Sequence, residues 1–177
     1  MIRMRPSLVS AVLLLLFLTI LFPIPSSAAD PGTAASEPAL LTVVAEDAKQ
    51  GDGKQAKVGF DMARLNALGT KIIRTTTPWT EGVTEFQGVL VRDVLNAAGV
   101  AGEEIRVSAV NDYSYTIPVS DLRKYPVILA FKMNGRTLTV RDKGPLWVIY
   151  PRDEFPELKT KEIDHRMVWQ VNQIFVQ

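Results

Sequence analysis

Cysteine is missing from all 177 residues. Its absence rules out disulfides, a lipid-modified cysteine, a thiol nucleophile, and any cysteine sulfur as a ligand for zinc, haem or an iron–sulfur cluster. Histidine is almost as scarce, His165 being the single one. Flanked by Asp164 and Arg166, it has the neighbours of a general base held by a carboxylate, yet a lone histidine in a polar stretch reads as a surface or structural residue. Neither a GxSxG elbow nor an HExxH pair is present. Asp153, Glu154 and Glu157 form an acidic group of the kind that can hold a metal through oxygen, but such clusters are usually solvated. Excess charge is lacking too: 20 Lys and Arg stand against 19 Asp and Glu. No strongly basic face is implied, and nucleic acid is not an expected partner.

Long apolar runs are confined to the first thirty residues. Arg3 and Arg5 precede a nearly uninterrupted apolar run from Leu8 to Phe22, and Pro23, Pro25 and the small residues Ser26 to Ala29 follow it. A basic n-region, an h-region and small residues at a peptidase site predict a signal peptide over residues 1–29, cut after Ala28 or Ala29. The run is shorter than the roughly 20 residues that a spanning helix needs, so membrane attachment is expected only through an uncleaved signal. Met4 separates the two arginines, and the twin-arginine signature is absent. The chain is therefore expected to cross unfolded by a Sec-type route and to be periplasmic. Residues 30–38 read as a flexible lead, with Pro31, Gly32, Ser36 and Pro38 among alanines. Residues 39–177 have the usual size of one domain, and no internal repeat or low-complexity tract divides them.

Within that domain many short β-prone stretches alternate with a few short helices, which predicts an α+β fold with a mixed sheet. Leu40 to Ala45 reads as a first strand, and Lys49 to Lys57 as a turn into a short strand ending at Phe60. Asp61 is placed to cap a brief helix that Gly69 stops, and Thr70 to Thr77 is rich in β-branched residues. Pro78, Trp79 and Gly82 form a loop, and Leu90 to Ala98 is an amphipathic helix ended by Gly99. Ile105 to Ala109 and Tyr113 to Ile117 alternate as two strands around Asn111-Asp112. Ser120 to Tyr125 is a helical turn. Asn134-Gly135 joins Val127 to Met133 with Arg136 to Val140, because a type I′ hairpin turn needs positive φ at both central residues. Pro145 to Tyr150 is an apolar strand, Arg152 to Asp164 is exposed or pocket-lining, and Val168 to Val176 alternates as a final strand.

Three groups of residues are candidates for binding. Arg141 and Lys143, with Gly144, place two cations and a permissive glycine before a buried strand, a combination that suits a phosphate or carboxylate; an ordinary charged turn fits the local chemistry equally. Asn111, Asp112 and Tyr113 form a turn that offers hydrogen-bonding groups beside aromatics where it borders a cleft. Trp79, Trp147 and Trp169 are core residues by default, and pocket walls where their segments converge.

The run Phe86-Gln87-Gly88-Val89-Leu90-Val91-Arg92-Asp93-Val94-Leu95 with Ala98-Gly99 resembles the FxGvxLrdLL…aG segment of the sulfite-oxidase-like molybdopterin-binding domain family. Asn134-Gly135, Leu138 and Lys143 to Pro151 resemble that family's nG-x-x-L…G-x-P-x-R-x-x-x-P pattern, and Trp169 to Val176 fits its closing strand. In order, these span about Leu40 to Val176. The stretches Thr77 to Thr80, Asn111 to Tyr113 and Asp142 to Trp147 look like a small exported branch of the family. The resemblance implies the molybdopterin-binding fold and, for cofactor-bearing members, molybdopterin-dependent oxidoreductase activity. In those members a cysteine thiolate binds the molybdenum, and exported ones tend to use the twin-arginine route. Here the cysteine and the twin arginine are both absent, and Trp147 stands where the pattern has arginine. The expectation is a non-catalytic binding, sensory or accessory module that takes a small organic ligand or an envelope partner protein and no cofactor. Its candidate lining residues are Asn111, Asp112, Tyr113, Arg141, Lys143, Trp147, Arg166 and Trp169. A molybdopterin oxidoreductase with an unusual ligand set, or a subunit of one, is the alternative.

Overall fold

Alternation of apolar and polar residues builds two sheets, and stretches apolar on both sides form their interior strands. The computed structural model describes residues 38–49 and 55–177; the expected signal over 1–29, and most of the expected lead, lie outside the described residues. The first sheet contains β1 (Leu41–Lys49), β2 (Gln55–Phe60), β5 (Glu104–Ala109), β6 (Ser114–Pro118) and β10 (Val171–Val176), in the order β2-β1-β10-β5-β6. β10 runs parallel to β1, and the other pairings are antiparallel. The second sheet is antiparallel: β3 (Lys71–Thr75), β4 (Thr84–Leu90) and β7 (Ile128–Met133) lie side by side. The far edge of β7 is shared by the short strands β8 (Arg136–Thr137) and β9 (Trp147–Ile149). Among the described residues no helix is long and apolar enough to cross a membrane.

Along β7 and β9, successive residues enter two different cores. Leu129, Phe131 and Val148 join the larger one, which fills the space among the first sheet, the helices and the second sheet. Ile128, Ala130, Trp147 and Ile149 join a smaller one with Ile73, Phe86 and Leu138. A strand covered on both faces reads as a continuous apolar run, and each fully buried side chain of this kind stabilises the fold by roughly 1.5–3 kcal/mol.

Four short helices close the larger core. Asp61 caps α1 (Met62–Ala67), its side chain accepting from the Arg64 amide at 2.7 Å. α2 (Val91–Ala98) buries Val91, Val94 and Leu95 and stops at Gly99, whose φ of 67° is the left-handed conformation that glycine adopts without strain. α3 spans Val119–Lys124. α4 (Lys161–Arg166) is capped by the Thr160 hydroxyl.

Three elements depart from the sequence reading. Thr84–Leu90 is a strand, although Gln87-Gly88 interrupts its β-prone pattern. The interruption has a cause: the register against β7 shifts between Gln87 and Gly88, and a Cβ on Gly88 would lie 2.1 Å from the Leu129 carbonyl oxygen. Arg136 to Val140 is a strand for only two residues, because the chain turns into a 3-10 helix at Val140–Asp142. The stretch from Arg152 to Asp164, assigned no element from sequence, holds a 3-10 turn at Pro156–Leu158 and most of α4.

Gly88→Ala forces backbone against backbone. It should therefore exceed the roughly 1–3 kcal/mol of ordinary overpacking, and chemical denaturation should show the loss as a lower midpoint. An unchanged midpoint would contradict the close approach of β4 to β7.

Candidate functional site

Three segments from separate parts of the chain meet over the edge where the two sheets adjoin. The first is the loop after β3, which carries Trp79. It is anchored by Asp153, whose carboxylate accepts from the Thr76 amide at 2.7 Å and the Thr76 hydroxyl at 2.9 Å and also pairs with Lys159 at 2.7 Å. Within the loop the Trp79 amide donates to the Thr77 hydroxyl at 3.1 Å. The second segment is the β5–β6 turn. Asp112 there has φ 65°, and the Tyr113 amide donates to the Asn111 side-chain oxygen at 3.3 Å. The third runs from α4 to Trp169, and the Val110 amide ties it to the second by donating to the Gln170 carbonyl at 3.0 Å.

Together they enclose a cleft of about 340 Å³ lined by Trp79, Ala109, Asn111, Tyr113, Asp164, His165, Met167 and Trp169. The Trp79 and Trp169 rings meet edge to face, 5.0 Å between centroids and 73° between planes. His165 stacks on Tyr115 at 5.7 Å, the planes 16° apart. Below the cleft, Arg166 binds Asp121 and, at 3.2 Å, Glu162. Glu162 accepts from the Tyr115 hydroxyl at 3.0 Å, and Asp121 from the Tyr150 hydroxyl at 3.0 Å. Burial first, and then the Asp121 carboxylate, push Tyr150 far above the ordinary tyrosine range, so its proton stays in place to be donated.

Of the eight residues selected from sequence, Asn111, Tyr113 and Trp169 line this cleft. Asp112 shapes the turn between two of them. Trp147 is fully buried: its indole N–H donates to the Met167 carbonyl at 3.0 Å, and its ring lies 5.3 Å from Phe86 and 6.2 Å from Trp79. It supports the cleft from behind and does not face it. Arg166 borders a separate shallow groove beside Tyr115. Arg141 and Lys143 stand apart in the turn before β9. In that turn the Asp142 and Gly144 amides both donate to the Thr139 carbonyl, at 2.8 and 2.7 Å. Lys143 reaches over the Trp147 ring, 5.5 Å from its centroid.

His165 is missing from that selection because a lone histidine in a polar stretch reads as structural, and Asp164 and Met167 because no helix is assigned there from sequence; the Thr160 cap followed by Lys161 to Arg166 is the signal that places them. No group of three or more His, Cys, Asp or Glu gathers to hold a metal among the described residues. Within the acidic stretch, Asp153 is occupied by Thr76 and Lys159, and Glu157 by the Tyr125 hydroxyl and Lys124.

Residues 62–155, more than half of the chain, match the model of the oxidoreductase molybdopterin-binding domain family. The chain belongs to that family, and its α+β fold agrees with it. No curated protein matches the sequence. The matched segment supplies Trp79, Ala109, Asn111 and Tyr113; the rest of the cleft comes from the chain after it. The resemblance implies that a cysteine thiolate binds the molybdenum in the family's oxidoreductases, and a phosphate is suited by cations. No thiolate exists anywhere in the sequence, and none of the described residues lining the cleft is Lys or Arg. Arg152 is paired with the Asp164 carboxylate at 3.1 Å. The donor set does not fit that cofactor.

Asp153 makes the Trp79 loop sensitive to acid. The Lys159 ammonium holds its carboxyl below the ordinary carboxylate value; partial burial opposes this, and the Thr76 amide and hydroxyl add to the lowering. A depressed folded-state pKa contributes stability above the ordinary value that is lost as pH falls through the folded one. Tryptophan emission of the wild type should therefore change on acidification below about pH 4. Asp153→Asn should show an altered emission at neutral pH and a flatter acid response; identical titrations would refute the anchor.

Proposed function

We propose that this chain is an exported, non-catalytic member of the molybdopterin-binding domain family. In this reading it is a periplasmic binding, sensory or accessory module whose cleft takes a small organic ligand. One observation carries the reading: a fold whose oxidoreductases grip molybdenum through a thiolate here has no cysteine in 177 residues. The cleft supports it, because its walls are aromatic and apolar with a few polar groups, the usual make-up of a small-molecule site. Trp147, at the position of the family pattern's arginine, is used for packing and supplies no cation of its own. Export without the twin-arginine signature favours the same conclusion, since an unfolded chain arrives without a preloaded cofactor.

Protein isolated from its native envelope and assayed for metals and pterin by mass spectrometry should contain neither in stoichiometric amount. Molybdenum at one per chain would overturn the proposal in favour of an oxidoreductase, or a subunit of one, with oxygen or nitrogen ligands.

A further inference from the structure

We propose that the cleft recognises an organic cation, and that a methylated ammonium group is the chemistry it takes. This rests on the reading of the cleft as a small-molecule site and specifies its ligand. Trp79 and Trp169, 5.0 Å apart and 73° between planes, form a corner of two indole rings, and Tyr113, 45% exposed, adds a third aromatic side chain at the rim. Aromatic rings attract a cation through the negative potential of their faces, tryptophan most strongly, and converging rings are how quaternary ammonium groups are commonly held.

Charge points the same way. Asp164 is the only Asp, Glu, Lys or Arg among the described lining residues. Its Oδ1 is buried with no hydrogen bond of good geometry, although Arg152 lies 3.1 Å away. That oxygen faces a guanidinium already, so what the lining offers a ligand is one formal negative charge partly offset from behind, and an anionic ligand would meet a carboxylate and no Lys or Arg among the described lining residues.

Methylation follows from the shortage of acceptors. The Asn111 side-chain oxygen already accepts from the Tyr113 amide, Asp164 Oδ1 is turned to Arg152, and Trp79, Trp169, Met167 and Ala109 offer no strong side-chain acceptor. This leaves the Tyr113 hydroxyl and His165 as too few for the three N–H donors of a primary ammonium. A primary ammonium would leave its N–H donors unpaired at a cost; a methylated one has none to satisfy and places apolar methyls against the rings.

The test compares choline with its uncharged isostere, in which carbon replaces nitrogen, by titrating the full chain and following tryptophan fluorescence and calorimetry. Choline should bind saturably and about tenfold or more tightly than the isostere, a ratio within reach of the cation–ring attraction of a few rings. Tyr113→Ser, on an exposed turn, should weaken choline several-fold. Asp164→Asn should weaken choline and leave the isostere unchanged. Vesicles of phosphatidylcholine form a second arm: competition with free choline would assign the site to a lipid headgroup, and its absence to a free solute, each retaining the cation. Equal affinity for choline and isostere, or binding of neither, would overturn the inference. Equal affinity would spare the small-molecule reading, which only stoichiometric molybdenum removes.

Discussion

Backbone pairing at Trp147 joins the two sheets. Its backbone pairs with Ala130 of β7 on one side and bridges to Trp169 on the other. The neighbouring amides complete the seam: Val148 donates to the Val168 carbonyl and Val171 to the Leu146 carbonyl, each at 2.9 Å. The indole N–H binds the Met167 carbonyl at 3.0 Å. A smaller side chain would open a cavity between the sheets and leave a buried carbonyl without its donor, a loss of roughly 1–3 kcal/mol for the unsatisfied group alone. Tryptophan meets both needs, because it combines a large apolar body with one polar handle.

The cleft inherits its shape from this junction. Phe86, Trp147, Trp79 and Trp169 form a continuous line of rings from the smaller core to the surface, with successive centroids 5.3, 6.2 and 5.0 Å apart. The outer two rings are thus held by packing on a fixed inner one. The opposite wall is held by charge. Arg166 draws α4 towards Asp121 on α3, and Tyr150, at the end of β9, donates to the same carboxylate. Packing positions the aromatic side of the site and ion pairing positions α4, so the two can be perturbed separately.

Local rules made much of the fold legible. Asp61 and Gly99 bound their helices as capping chemistry requires, and Asn134-Gly135 forms its hairpin with φ values of 49° and 74°. The alternating runs on either side of Asn111-Asp112 pair as β5 and β6. What stayed hidden depended on tertiary context. Gly88 lowers the strand propensity of β4 because of a backbone contact 41 positions further along the chain, at Leu129. Α single turn of helix at α4 carries too little periodicity to stand out against its charges. Nothing local reveals that in the cation-bearing turn the Thr139 carbonyl takes the Asp142 and Gly144 amides, or that the turn stands apart from the cleft. The site was legible in part for the same reason: Asn111, Tyr113 and Trp169 belong to recognised elements, whereas Trp147 and Arg166 are chemically suggestive side chains turned to structural use.

The parallel pairing of β1 with β10 has a consequence for how the molecule is made. β10 lies between β1 and β5 in the larger sheet, yet among the described strands it comes last in sequence. Until residues 171–176 emerge, the β2-β1 hairpin and the β5-β6 hairpin have no strand to join them, and the seam beside Trp147 lacks Trp169. Closure of the sheet must wait for contacts distant in sequence, which are slow to form. The order of strands along the chain thus makes completion of the larger sheet a late and single event, whereas the β3-β4-β7 sheet can form from residues that precede it.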